Sequence, residues 1–417
     1  MYRRVPLLGI LIPFLSFAQM SSMNSAGMYL MNVASGTSVN PDAWPMPMLM
    51  HPAGDWTLLF MGQGFVVDTQ QSGPRGAAKL YSTNAFMFSA SHILWGGTVQ
   101  FDSMLSLEPL TITGERYPEL FQTGETAYGR PIADGQHPHN FLMGLDVDYA
   151  HRLGHDTMLQ IYYAPVGDPA LGPVAYPHRA SAQELPEAPL GHHWQDSTHI
   201  SGNVATVGVK HSWLRIEASG FHGAEPGENR WTIPFGAMDS WATRLWVTPT
   251  NDWTFQVSTG RLTHPEALER GDVVRTTASA QYSKRVGGGE AWSTSLIWGR
   301  NHETFTGRNL NSYLLESVYP IRRRNFVTGR VEYVAKDELF ADAPALAAQL
   351  DATAGSTFGI GAYTAGYTRD LGTFHTIETG LGANASVYSL PAAIKPYYGE
   401  RPWGVNLFLR LRLKPGR

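Results

Sequence analysis

The feature that most restricts this chain is a two-residue rhythm of apolar and polar side chains, held over segments about ten residues long. Between residues 140 and 166, Phe141, Met143, Leu145, Val147 and Tyr149 share one side of an extended chain, with Gly144, Asp146 and Asp148 on the other. After the polar break Leu153-Gly154-His155-Asp156 the rhythm resumes, with Thr157, Leu159, Ile161 and Tyr163 against Met158, Gln160 and Tyr162. Successive side chains of a strand point to opposite faces, so this stretch predicts a β-hairpin with one greasy and one polar side. The unit recurs at about 55–68, 82–92, 97–108, 140–152, 156–165, 200–212, 213–223, 240–249, 251–262, 272–285, 290–302, 310–321, 324–337, 356–370, 373–388 and 403–414. In the last of these, Val405, Leu407, Leu409, Leu411 and Leu413 oppose Asn406, Arg410 and Arg412. About ten residues is the length of a tilted strand crossing a bilayer, and rings at strand ends suit the headgroup level.

Connections alternate between short and long. Short ones include Trp95-Gly96, Gly154-His155-Asp156, Pro249-Thr250-Asn251, Gly287-Gly288-Gly289, Arg322-Arg323-Arg324 and Asp370-Leu371-Gly372. Long ones cover about 69–81, 109–139, 166–199, 224–239, 338–355 and 389–402. Tight periplasmic turns opposite long external loops, with an even strand number, are the asymmetry of outer-membrane barrels. A soluble sandwich has no reason to sort its loops by length. The fold expected is therefore all-β, a transmembrane antiparallel up-and-down β-barrel of about 16 strands.

Composition supports that class where it bears on it. Only 16% of the residues are charged, against roughly 25% in ordinary soluble proteins. A length of 417 residues would make two or three soluble domains, but one closed sheet absorbs it. There is no cysteine, which excludes disulfides and thiolate metal sites. A net charge of -4 without a basic tract excludes nucleic acid as a partner.

Three parts are expected in order. Arg3 and Arg4 before an apolar run that ends in Ser16-Phe17-Ala18 form the layout of a secretory signal peptide, residues 1–18. Residues 19–54 are a methionine-rich periplasmic lead-in or plug, with Met20, Met23, Met28, Met31, Met46, Met48 and Met50. Residues 55–417 are the barrel. Export through such a signal to the outer membrane of a Gram-negative-type bacterium implies three surroundings: the insertion machinery, the bilayer and lipopolysaccharide.

With the apolar rows facing lipid, the opposite rows line the lumen: Asp102, Asp146, Asp148, Arg215, Glu217, Arg244, Arg300, Glu316, Arg330, Glu332, Arg410 and Arg412. An arginine facing hydrocarbon near the midplane would cost roughly 2–4 kcal/mol. These charges either brace neighbouring strands or line a path for a small polar solute. The two longest loops carry His137, His139, His178, His192, His193 and His199, with Asp196. Neutral imidazole and carboxylate together suit a divalent transition metal such as Cu, Zn or Ni, and the methionines suit soft Cu(I). Pinning loops to backbone carbonyls is the plainer use of those histidines, and packing that of the methionines.

The runs Gln71-Ser72-Gly73-Pro74-Arg75-Gly76, 122–139, 163–181 and 190–201 resemble an uncharacterised family of exported bacterial outer-membrane β-barrel proteins, porin-like in architecture. The resemblance implies the barrel and its location and brings no catalytic residue. The function expected is passage of a small polar solute, a metal ion or metal complex included, past histidine-rich loops at the external mouth. One alternative is a hydrolase at the rim acting on lipid or cell-surface material, for which Asp196, Ser197 and His199 supply residue types without a Gly-x-Ser-x-Gly elbow. The other is a plugged, non-conducting structural or binding barrel.

Overall fold

The computed structural model describes residues 23–267, 270–286 and 289–414. The expected signal peptide lies outside the described residues, as do the start of the lead-in and two glycines of the turn at 287–289. An extended segment pairs none of its own N–H and C=O groups, and one neighbour satisfies only every second residue, so strands with this rhythm fold as sheet or not at all. The strands are β1 (Leu49–Ala53), β2 (Trp56–Gln71), β3 (Ala78–Leu94), β4 (Gly97–Leu105), β5 (Tyr117–Ala127), β6 (Arg130–Gln136), β7 (Leu142–Arg152), β8 (Thr157–Gly167) and β9 (Ser201–His211). After them come β10 (Leu214–His222), β11 (Ser240–Thr250), β12 (Trp253–Leu262), β13 (Val273–Val286) and β14 (Glu290–Glu303). The chain ends with β15 (Asn309–Ile321), β16 (Asn325–Lys336), β17 (Phe358–Phe374), β18 (Ile377–Ser389) and β19 (Trp403–Leu413).

Sixteen of them, β2–β4 and β7–β19, pair antiparallel with their neighbours in the chain, β4 passing directly to β7. β19 returns onto β2 from Gly404↔Gln71 to Arg412↔Gln63 and closes the barrel. β1 pairs with the first residues of β2, Leu49↔Phe60 to Ala53↔Trp56, where β19 has ended. It covers an edge that would otherwise stand open. β5 and β6 form a separate hairpin inside the connection between β4 and β7. That hairpin and β1 carry no clean alternation, and the sequence did not announce either.

The two ends differ as expected. Tight turns follow β3, β7, β9, β11, β13, β15 and β17; the longest loops, 106–141, 168–200, 223–239 and 337–357, all lie at the other end. Along β19, Asn406, Phe408, Arg410 and Arg412 are buried while Trp403, Leu407, Leu409 and Leu411 are exposed. Around the outside runs an apolar belt that includes Ile216, Val257, Leu296, Leu315, Val331 and Leu381. Exposed rings fringe it toward the loop end (Tyr163, Trp241, Tyr313, Tyr333, Tyr363, Trp403) and toward the turn end (Trp56, Trp95, Trp213, Trp253, Trp292, Tyr319).

Three details differ from the sequence reading. Met143 does not join Leu145 and Val147 outside: the register slips between Met104↔Gly144 and Leu105↔Leu142, and the displaced Met143 packs inward with Met104, Val166 and Ile200. A bulge inserts one residue and reverses the faces beyond it. Asp370-Leu371-Gly372 is likewise a bulge within β17, and the turn follows at 375–376. Arg300, expected in the lumen, shares the outward register of Trp292, Leu296 and Trp298, whereas Ser293, Ser295, Ile297 and Asn301 point in. It stands near the loop end of β14 with its guanidinium against the Trp298 ring, where a long side chain can reach past the apolar belt.

Candidate functional site

A barrel of sixteen strands encloses more space than its own side chains fill, and here the chain fills the space itself. Loop 168–200 is buried almost throughout. From the turn end, the helix α1 (Ser25–Met31), capped by the Asn24 side chain, packs against β7 and β4. Ser35 donates to Asp168 (2.7 Å), and Arg244 donates to Thr37 (2.9 Å).

Charges withdrawn from water need partners, and loop 168–200 supplies them to the wall. Arg179 reaches Glu316 (2.6 Å), which also accepts from Arg330 (3.0 Å) and Ser181 (2.8 Å). Glu184 accepts from Arg410 and Arg412, and these also hold Glu378. Glu187 accepts from Asn384 and Asn406, while its carbonyl accepts from Arg330. Glu217 gathers Arg215 (2.6 Å), Arg244 (2.9 Å) and the Trp246 indole (2.8 Å). Glu332 accepts from the Gly191 backbone (3.3 Å). Asp102 faces Asp146 across β4 and β7, and Asp148 accepts from Gln160. Every lumen residue named from the sequence except Arg300 thus belongs to the interior. Most of these charges brace the wall or hold the loop. The spaces left at mid-height are small: about 70 Å³ beside Met46, Met61, Met87 and His178, and about 50 Å³ beside Glu108, His139 and Tyr176. A wider one of about 420 Å³ lies by Tyr29, Asp42, Lys210 and Arg215.

Above the ion pairs, the loops bring histidines together that lie far apart in the chain. The rings run in a chain, His139 to His199 to His192 to His193, with successive centroids 5.4, 5.3 and 5.3 Å apart. Each of the first three has its Nδ1 engaged: His139 on Glu108 (2.9 Å), His192 on Asp196 (2.5 Å) and His199 on the Asp196 carbonyl (2.8 Å). Tyr176 places its hydroxyl 3.3 Å from His139 Nε2. Burial, only partly offset by Asp196, pushes the His192 imidazole down to about 4, and burial with neighbouring imidazoles drives His199 well below its usual range. His178 is also pushed down to about 4, by burial and then His139, and its Nε2 lies 3.1 Å from Met104 Sδ. Burial would raise the Asp196 carboxyl, but His192 and Arg179 outweigh it and hold it below the carboxylate range. His137 bonds Glu125 through Nε2 (2.9 Å) and faces His193 edge-on.

The seven residues named for metal do not converge on one point. Among the described residues, one set of three brings its ligand atoms within 4.8 Å of one another: His193, Glu225 and Glu266. His193 Nδ1 is 3.6 Å from Glu225 and 3.2 Å from Glu266. Burial alone would lower the His193 imidazole; the two carboxylates outweigh it and raise it well above its usual range. Glu266 is one of three acids in the stretch 263–272, and no spacing in the sequence singles it out. Glu108, which orients His139, is equally silent. The hydrolytic residue types are not assembled: Ser197 Oγ accepts from Arg275 (2.9 Å), His199 bonds the Asp196 carbonyl, and the Asp196 carboxylate serves His192, Arg179 and the Tyr176 backbone.

No family model matches the chain, and no curated protein does at the level of sequence. Solved structures match its fold. The anion-selective porin of Comamonas acidovorans is 12% identical with a TM-score of 0.54, covering 86% of this chain and 99% of that one. Salmonella typhi OmpF, in a complex with daunomycin, is 9% identical at 0.52, covering 88% and 100%. Pseudomonas putida OprB is 11% identical at 0.51, covering 86% and 94%. At such low identity the likeness is one of fold, and the fold of this chain is that of the porin barrels.

Proposed function

We propose that this chain works in the outer membrane of a Gram-negative-type bacterium, after removal of its signal peptide. There it is a porin-like passage for a small polar solute, narrowed by loop 168–200. One observation carries the reading: the apolar belt outside encloses an interior whose loop is seated through charges and hydrogen bonds at Arg179, Glu184 and Glu187. Charges in such a seat regain water when the loop shifts, which offsets the partners they lose, whereas a seat made of apolar contacts alone gains nothing by opening. The domain division 1–18, 19–54 and 55–417, the exported-family resemblance, and contacts with lipopolysaccharide and the insertion machinery belong to the same reading. So does a metal ion or metal complex (Cu, Zn or Ni) among the solutes, met at the mouth by His137, His139, His178, His192, His193, His199 and Asp196.

The near-complete burial of loop 168–200 favours a second reading, a plugged barrel that binds without conducting. Planar-bilayer recording on purified full-length protein, its folding verified by heat-modifiable gel migration, separates the two. Discrete conductance steps are the expected outcome. Folded protein that never conducts overturns the passage and leaves the plugged binding barrel.

A further inference from the structure

We infer that His193, Glu225 and Glu266 form a binding site for one borderline divalent transition cation that ties loop 168–200 to two loops of the rim. The site rests on the reading that imidazoles at the mouth meet a metal, and it names which one does so and with what partners. Three separate connections contribute: His193 from the turn of helix His192–Gln195, Glu225 from loop 223–239 and Glu266 from loop 263–272. The Glu225 backbone N–H donates to the Pro265 carbonyl (2.8 Å), which lays the two acids side by side. Asn301 holds the His193 carbonyl (3.2 Å). Gly124, at φ +114°, lets the chain pass against the imidazole where a Cβ would come within 2.6 Å of the ring.

An ordinary ion pair leaves this arrangement half explained. Nδ1 carries at most one hydrogen, yet two carboxylates approach it, at 3.2 and 3.6 Å. The Glu225 side chain is only 7% exposed, and its Oε1 has no hydrogen-bond partner. A buried carboxylate oxygen without a donor costs stability, and a cation removes that cost. Ligands about 2.0 Å from a tetrahedral zinc stand roughly 3.3 Å apart, close to the spacings already present around Nδ1. One imidazole with two carboxylates and no sulfur selects zinc-like borderline cations over Cu(I), which prefers thioether or thiolate.

The test uses the full-length folded barrel, stripped with a chelator and titrated with Zn²⁺. Calorimetry is expected to show one tight site, and X-ray absorption of the loaded protein a shell of one imidazole and otherwise oxygen donors. Zn²⁺ should raise the temperature at which the heat-modifiable band converts. Glu225→Gln and Glu266→Gln should each weaken binding at least about 100-fold, since even an outer-shell partner can be worth that much. Glu228→Gln, on the same loop but bonded to the Gly129 backbone, should bind as the parent does. Absent binding, unchanged affinity in both glutamine variants, or a shell with two or more imidazoles overturns the site. Where a variant misfolds, the spectrum of the parent protein still decides. A barrel that conducts and takes no Zn²⁺ loses the site but keeps the passage; one that takes Zn²⁺ and never conducts keeps the site and loses the passage.

Discussion

At Asp168 two pieces of the interior meet. Its carboxyl accepts from Ser35 of the lead-in and lies at the start of the loop that fills the lumen. Burial, against a weaker pull from Arg244, pushes this carboxyl up to about 7. The unfolded chain releases that proton near the model-peptide value of about 3.9. Between those values the folded state therefore holds a proton that the unfolded state has lost, so stability falls as pH rises. The contribution is complete below the unfolded value and is gone once the pH has passed about 7. Urea unfolding of the barrel in vesicles between pH 4 and 8 should lose up to about 1.4 kcal/mol per pH unit from this group. Asp168→Asn keeps the shape and cannot ionise, so it should flatten that slope. An equally steep slope in the variant would mean that another group sets it.

A single strand shows how far local pattern determines position. In β15, Tyr313, Leu315 and Tyr319 point out, while Ser312, Leu314 and Glu316 point in. Leu315→Arg places a charge on the apolar belt and should cost roughly 2–4 kcal/mol of folding free energy in vesicles, more than the same change nearer either ring girdle. A cost below about 1 kcal/mol at the midplane, as is found near the interfaces, would argue that no hydrocarbon lies there. Alternation made this strand and fifteen others legible in the sequence, because a one-sided environment repeats every two residues. Where one extra residue enters, as at Met143 and Leu371, the periodicity carries no mark of the slip: the face of Met143 is misread, and the bulge at Leu371 is taken for the turn. Arg300 was misplaced for a different reason: near a strand end a charge can face outward and still reach water. The site was half legible. Its histidines stood out as residue types in long loops, but Glu108 and Glu266 reach them only through the closed barrel.

On the scale of the whole molecule, loop 168–200 and the wall form one electrostatic unit. The wall brings Arg330, Arg410 and Arg412, and the loop returns Glu184 and the Glu187 carbonyl. Arg179 of the loop meets Glu316 of the wall. Breaking one member leaves a buried charge uncompensated, which in a buried pair costs about 3–5 kcal/mol. A solvent-reachable lumen can relieve that cost by admitting water and counter-ions, and the loop then loosens from its seat. In Glu184→Ala, Arg410 still has Asp370 and Glu378, and Arg412 still has Glu378. The interior nevertheless becomes more positive by one charge beside two guanidinium groups. Rings of fixed charge set the ion preference of a pore. The variant should therefore conduct more than the parent, and its reversal potential in a KCl gradient should move toward chloride. An unchanged reversal potential with unchanged conductance would place Glu184 and its arginines off the conducting path, and the passage would then have to run elsewhere around the loop.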